Sequence, residues 1–284
     1  MFKITQLYLF LTIFFWASTP AVSKLLLEEM DSFQISFYMI LIAMIVLFLM
    51  VFVKRKSIKY DVKDYLTFAY MGGLGIFLYY ILYFSSLIFI SAQETTIINY
   101  LWPIMVIVFA SLILKERITL KKIIAILLSF MGVYIVVSHD TLSSFTSSNI
   151  IGVLLAFLGA VSYSLFSVLG KKYNYDIIAS MALYYLFSFI FIIPTILFFS
   201  EIIIPSIKAF IGLLWLGLFS ASTGNVLWFL VLKDGETSKM ANMIYLVPFI
   251  SLVYIYFLTG EKILLSSLIG LILIVLGILI QYKR

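Results

Sequence analysis

Long apolar runs, not alternation, set the pattern of this chain. Residues 40–53 and 268–280 each continue without a single charged side chain. A strand of a membrane barrel needs only about ten residues of in/out alternation, whereas a helix crossing the hydrocarbon needs about 17–25 apolar residues. Stretches of the second kind are predicted at 7–26, 33–53, 65–88, 95–114, 119–137, 150–169, 177–199, 210–230, 240–258 and 263–282. The third and eighth are interrupted by glycines and polar residues. The connections are short, and the longest polar ones are 54–64 and 138–149. The expected fold class is therefore an all-α polytopic membrane protein with ten transmembrane helices, since only helices and closed barrels satisfy every backbone group in lipid.

Composition agrees with this pattern. Hydrophobic residues make up 64% of the 284 residues and charged residues 11%, against about half and a quarter in a soluble domain. The net charge of +6 is explained by topology. With the N-terminus inside, sixteen of the nineteen lysines and arginines fall on the cytoplasmic side, as the positive-inside rule requires. Only Lys24, Lys208 and Lys262 fall outside, beside Glu28, Glu29, Asp31 and Glu201. Both termini are expected to be cytoplasmic in a multi-pass protein of the cell membrane, and nucleic acid is not an expected partner. The first span is too long for a signal peptide, so cleavage is not expected. Cysteine is absent and His139 is the only histidine. Disulfide and thiol chemistry is thereby excluded and nearly every familiar zinc site removed. No cofactor or metal is expected.

The chain also repeats itself. An offset of 145 residues places Gly72 on Gly217, Tyr100 on Tyr245, Pro103 on Pro248, Glu116 on Glu261, Ile118 on Ile263 and Gly132 on Gly277. An offset of 147 places Lys24 on Lys171. Coincident leucines would mean little in such a sequence, but coincident Pro, Glu and Gly at one offset mark a duplication. Two five-helix units are expected, at 1–138 and 149–284. Five spans is an odd number, so the second unit is inverted relative to the first. Inverted repeats are the plan of secondary transporters, in which two similar halves expose a midplane site alternately to each side.

Two five-span units, each with a Pro followed about thirteen residues later by Glu-Arg-Ile or Glu-Lys-Ile, resemble the EamA-type members of the drug/metabolite transporter superfamily. Trp16, Lys24 and Gly132 match the same pattern. Glu94 followed by Asn99-Tyr100-Leu101-Trp102-Pro103, with Asn225 in the eighth span, is similar to the bacterial aromatic amino-acid and metabolite exporters. The resemblance spans essentially the whole chain. It departs at Tyr38, where the family usually carries an arginine, so no contact of that arginine is carried over. The resemblance implies a ten-helix carrier with a central cavity for small organic solutes, moved outward.

Candidate substrate-binding residues follow from polar and aromatic positions inside the spans. Thr12, Trp16, Thr19 and Ser23 share one face of the first helix, and Pro20 would kink it there. Tyr79, Tyr80 and Tyr83 are candidate cavity walls, with Gly72, Gly73 and Gly75 permitting close helix approach. Glu94 is the only acid close to the membrane interior. It either serves the substrate or a proton, or caps a helix N-terminus, where the dipole favours it. Asn99 and Trp102 precede Pro103, while Asn225 and Trp228, and Asn242 and Tyr245, each form an i, i+3 pair. Packing and interhelical hydrogen bonds are the alternative role for these amides. Lys24 lies on the acidic outer side. Pro20, Gly72, Pro103, Glu116, Pro248 and Glu261 are assigned to architecture and hinging.

A secondary carrier of small organic metabolites, amino acids first among them, is the expected function, working as a monomer in the lipid bilayer on a small-molecule substrate. A proton-coupled drug or cation antiporter is the alternative, but it would need an acid facing the substrate and the first helix has none. A membrane-embedded enzyme would need paired acids, a nucleophile with a base, or metal ligands facing one another, and the spans do not supply them.

Overall fold

The computed structural model describes residues 4–113, 115, 119–141, 147–170, 173, 175–234, 244 and 246–282. The helices are α1 (Ile4–Leu26), α2 (Ser32–Val53), α3 (Val62–Gly72), α4 (Tyr79–Phe89), α5 (Ala92–Asn99), α6 (Trp102–Ile113), α7 (Leu120–Thr141), α8 (Ser147–Gly170), α9 (Ile177–Phe199), α10 (Ile207–Leu214), α11 (Asn225–Asp234), α12 (Leu246–Thr259) and α13 (Leu265–Tyr282). Helix is found within each of the ten predicted stretches, and strand in none of the described residues. Among the described residues, seven helical stretches are long and apolar enough to cross a membrane: Ile4–Leu26, Ser32–Val53, Val62–Phe89, Ala92–Ile113, Asn149–Gly170, Ile177–Phe199 and Ile207–Val231.

The interruptions predicted in the third and eighth stretches are not breaks. A π-helical segment, Gly73–Leu78, joins α3 to α4, and a second, Trp215–Gly224, joins α10 to α11. A π turn widens the helix and weakens its own ladder, and side chains from other helices compensate. Ser188 Oγ donates to Gly72 O at 2.8 Å and Ser162 Oγ to Leu74 O at 2.6 Å. Trp16 Nε1 donates to Ser220 O at 3.2 Å and Tyr185 Oη to Ala221 O at 2.8 Å, while Asn225 Nδ2, one turn on in the same helix, also donates to Ala221 O at 2.8 Å. The stretch predicted as one helix at 95–114 is broken instead. α5 ends at Asn99 and α6 starts at Trp102, because Pro103 has no N–H to give the Asn99 carbonyl. Ser164 Oγ donates to Trp102 O at 2.8 Å beside the break.

Contacts between the halves come in exchange-related couples. A Cβ on Gly72 would lie 2.3 Å from Tyr184 O, and one on Gly217 would lie 3.1 Å from Met39 O. Adding 145 to Met39 and Gly72 gives Tyr184 and Gly217. Likewise a Cβ on Gly132 would lie 2.5 Å from Gly270 O, and one on Gly277 would lie 2.7 Å from Ala125 O. The glycines are where backbones approach too closely for any side chain. α2 packs along α9 and α7 along α13, while α4 packs on α8 as α11 does on α1.

Helix caps repeat at the same offset. The Asp31 carboxylate accepts from Phe33 N and Gln34 N at the start of α2, and Asp176 from Ile178 N and Ala179 N at the start of α9. Asp61 and Ser206 are the N-caps of α3 and α10. Ser200, after α9, donates to Asp31, while Lys56, after α2, pairs with Asp176 at 2.8 Å. α2 and its counterpart α9 therefore run antiparallel.

Candidate functional site

A cavity of about 70 Å³ lies between the halves. Trp16, Thr19 and Pro20 face it from α1. Tyr79, Tyr80 and Tyr83 come from the first turns of α4, directly after the π segment. Thr96, Asn99, Tyr100 and Trp102 come from the α5–α6 break, and Tyr163 comes from α8. Ser220, Asn225 and Ser251 complete the wall from the second π segment, α11 and α12. Asn99 and Trp102, on either side of the break, face the same space. Both π segments lie immediately before cavity residues.

The walls are aromatic and uncharged. The Tyr163 ring stands 5.0 Å from Tyr79 and 5.3 Å from Trp102, the latter edge-on at 86°. Tyr79 stands 4.9 Å from Tyr80 and 5.9 Å from Tyr83. Such spacing is that of favourable ring pairs. Asn99 is 5% exposed, its Oδ1 is approached by Tyr79 Oη at 3.5 Å, and its Nδ2 is buried without a protein partner. Asn225 differs, since its Nδ2 donates to Tyr185 Oη at 3.0 Å and to Ala221 O at 2.8 Å. Thr19 and Ser220 are joined hydroxyl to hydroxyl.

Of the residues singled out from sequence, Trp16, Thr19, Tyr79, Tyr80, Tyr83, Asn99, Trp102 and Asn225 line this one cavity, as does Pro20. Trp228 lies just behind it, its ring 5.8 Å from Trp16. Two charged candidates are used at helix ends instead. Lys24 Nζ donates to Leu87 O at 2.6 Å and to Ile90 O at 3.5 Å, capping α4, where the helix dipole favours a cation. Glu94 forms a capping box with Ser91, accepting from Ser91 N and Ser91 Oγ at 2.9 Å while Ser91 Oγ accepts from Glu94 N. Gly72 packs against Tyr184, and Pro103 and Pro248 are buried near the starts of α6 and α12. Asn242, Tyr245 and Glu116 lie outside the described residues.

Glu261 has a defined architectural place. Its carboxylate accepts from Ala92 N at 3.1 Å and Gln93 N at 3.4 Å, so a residue of the second half caps α5 of the first. Gln93 reciprocates, donating to Lys262 O at 2.8 Å. Gly260, with φ 74°, ends the preceding helix in the left-handed region, and its counterpart Lys115 has φ 55°.

Tyr163, Ser220 and Ser251 were not anticipated. Serines in membrane helices usually bond their own backbone, as Ser251 Oγ does to Val247 O, so they carry little signal. Tyr163 had one: the offset of 147 that relates Lys24 to Lys171 also places Trp16 on Tyr163.

The EamA-like transporter family model matches residues 3–138 and again residues 150–282. An uncharacterized transporter of Archaeoglobus fulgidus is 28% identical over 280 residues, 96% of each chain. The uncharacterized transporter YvbV of Bacillus subtilis is 34% identical over 210 residues, covering 72% of this chain and 68% of its own. A crystal structure 19% identical in sequence superposes with a TM-score of 0.73 over 99% of this chain and 97% of that one, which establishes likeness of fold.

Proposed function

The chain belongs to the EamA-like transporter family, and from that premise we propose that it is a secondary carrier exporting small organic metabolites, amino acids first among them, by alternating access. The chain is a multi-pass membrane protein, and on this reading it lies in the plasma membrane with ten spans and both termini in the cytoplasm. The two halves are inverted repeats. The antiparallel run of α2 and α9 and the exchange of contacts at offset 145 support that reading. The single observation that carries the function is the position of the cavity. It lies between the halves, with walls from α1, α4, the α5–α6 break, α8 and α11, so that a rocking of one half on the other would change its access.

Comparing metabolites in cells and medium with and without expression tests this directly. The expected outcome is a small organic solute enriched in the medium on expression, and an unchanged medium would sink the reading. For topology, single cysteines replacing Ser57 and Glu201 are expected to label from opposite sides of the membrane.

The proton-coupled antiporter reading would require Glu94 to face the substrate, and its capping box with Ser91 argues for a role at the helix end. Amino-acid flux under an imposed pH gradient is expected to depend on pH equally in the parent and in Glu94→Gln.

A further inference from the structure

The cavity wall includes a buried amide N–H that the fold leaves without a partner. Asn99 is nine-tenths buried and its Nδ2 has no protein partner, although buried amide N–H groups in folded proteins are nearly always paired. The surrounding side chains are neutral: among the described residues, none that lines the cavity carries a formal charge. The two charged candidates singled out from the sequence are engaged elsewhere, Glu94 in its capping box and Lys24 on the last carbonyls of α4.

On the reading that this cavity is the transport site, we infer that it accepts solutes of no net charge, and that Asn99 is the anchor that gives its Nδ2 hydrogen to a carbonyl or carboxylate oxygen of the solute. An ion without a counter-charge is costly to hold in a space walled by hydrocarbon and rings. A molecule whose charges cancel internally avoids that cost. Its oxygen meets Asn99, and its apolar or cationic part meets the ring faces of Tyr79, Tyr163 and Trp102, which attract planar groups and ammonium alike. Asn99 is thus a specificity-determining residue. Its counterpart at offset 145 is Ile244, which offers no hydrogen bond, so the anchor exists once and fixes how the solute lies.

Read at about pH 6, where amine and carboxylate are both ionised, three probes with one phenyl body separate the charge states: phenylalanine with no net charge, phenylalaninamide with one positive charge, and 3-phenylpropionate with one negative charge. Binding to the full chain in nanodiscs can be read by calorimetry or by the fluorescence of Trp16 and Trp102. Phenylalanine is expected to bind at least about tenfold more tightly than either charged probe. Asn99→Leu is expected to weaken phenylalanine about tenfold, and Asn99→Asp to make phenylalaninamide the preferred probe. Charged probes binding the parent as tightly as phenylalanine would overturn the inference. So would no binding of any probe, or an affinity unmoved by Asn99→Leu. The ranking on the parent needs no variant, so it stands even where a substitution prevents folding. Export of a solute with net charge would overturn the charge rule and leave the transporter reading intact. A medium unchanged by expression would remove the transporter reading whatever the ranking.

Discussion

The packing seams and the cavity treat the duplication in opposite ways. At the seams, equivalent positions keep equivalent residues: Gly72 and Gly217 against α9 and α2, Gly132 and Gly277 between α7 and α13, Asp31 and Asp176 at the helix starts. In the cavity most counterparts have diverged, although Tyr100 still answers to Tyr245. Tyr79 answers to Gly224, Tyr80 to Asn225, Asn99 to Ile244, Trp102 to Val247, and Tyr163 to Trp16. Even the contacts are conserved in place while changing in kind. Tyr79 stacks near Tyr163 at 5.0 Å, and at the exchanged pair a Cβ on Gly224 would lie 2.9 Å from Trp16 Nε1. Gly75 under the Phe166 ring corresponds to Ser220 hydrogen-bonded to Thr19. Two halves that must pack on each other need the same seams, but a solute without two-fold symmetry needs an unsymmetrical wall.

The largest effect is expected where a seam is broken. Gly72→Ala puts a Cβ onto the Tyr184 carbonyl and should cost about 3 kcal/mol, at the upper end for overpacking. Gly217→Ala should cost somewhat less, because the nearest neighbour of its Cβ, Ile42 Cβ at 2.6 Å, is farther off than the 2.3 Å between a Gly72 Cβ and Tyr184 O. Thermal unfolding of the detergent-solubilised protein gives the order, and equal tolerance of both substitutions would contradict the seam. Next comes Asn225→Ala, which leaves Tyr185 Oη without one of its partners and opens the cavity wall. A loss of about 1–2 kcal/mol is expected on the same measurement.

A smaller change is expected at the cap shared between the halves. Glu261→Gln keeps the shape but removes the charge facing Ala92 N and Gln93 N, so about 1 kcal/mol or less should be lost. Amide exchange at Ala92 and Gln93 should rise with it, and unchanged protection there would show that the cap contributes nothing. The smallest effect belongs to Lys56 and Asp176. Burial alone would raise the Asp176 carboxyl, but its bonds to Lys56 and to the Ala179 and Ile178 N–H groups outweigh that and hold it below the usual carboxylate value of 3.8. A depressed carboxyl stabilises the fold above the unfolded value and loses that contribution as pH falls through the folded one. Lys56→Met should therefore cost at most about 0.5 kcal/mol at neutral pH, discounted because the pair is partly exposed. The difference should begin to shrink as pH falls to 3.8 and vanish only below the lowered value of the folded carboxyl, which unfolding measured from neutral into acid pH will show.

Much of the frame was legible in the sequence because membrane helices are set by length and apolarity, and because Pro, Gly and Glu at one offset are hard to produce by chance. Trp16 and Thr19 were legible from helical spacing, Asn99 from the cost of an amide in lipid, and Trp102 from its place within a turn of Asn99. The π segments were not, since one extra residue per turn leaves an apolar run apolar. Nor was the α5–α6 break, although Pro103 marked its edge. Glu94 and Lys24 stand out in the sequence only because they are charged, and the structure shows charge answering to helix dipoles. Tyr163 is one of 19 tyrosines, and only its place opposite Trp16 in the repeat distinguished it.

The most direct test is counterflow of the exported solute into proteoliposomes, comparing the parent with Trp102→Ala. Trp102 is in the unsymmetrical wall, and its counterpart is already a small residue, Val247. A loss of at least about tenfold in counterflow, with thermal stability nearly unchanged, is the predicted result. Counterflow equal to the parent's would contradict the claim that the solute is held where the two halves differ.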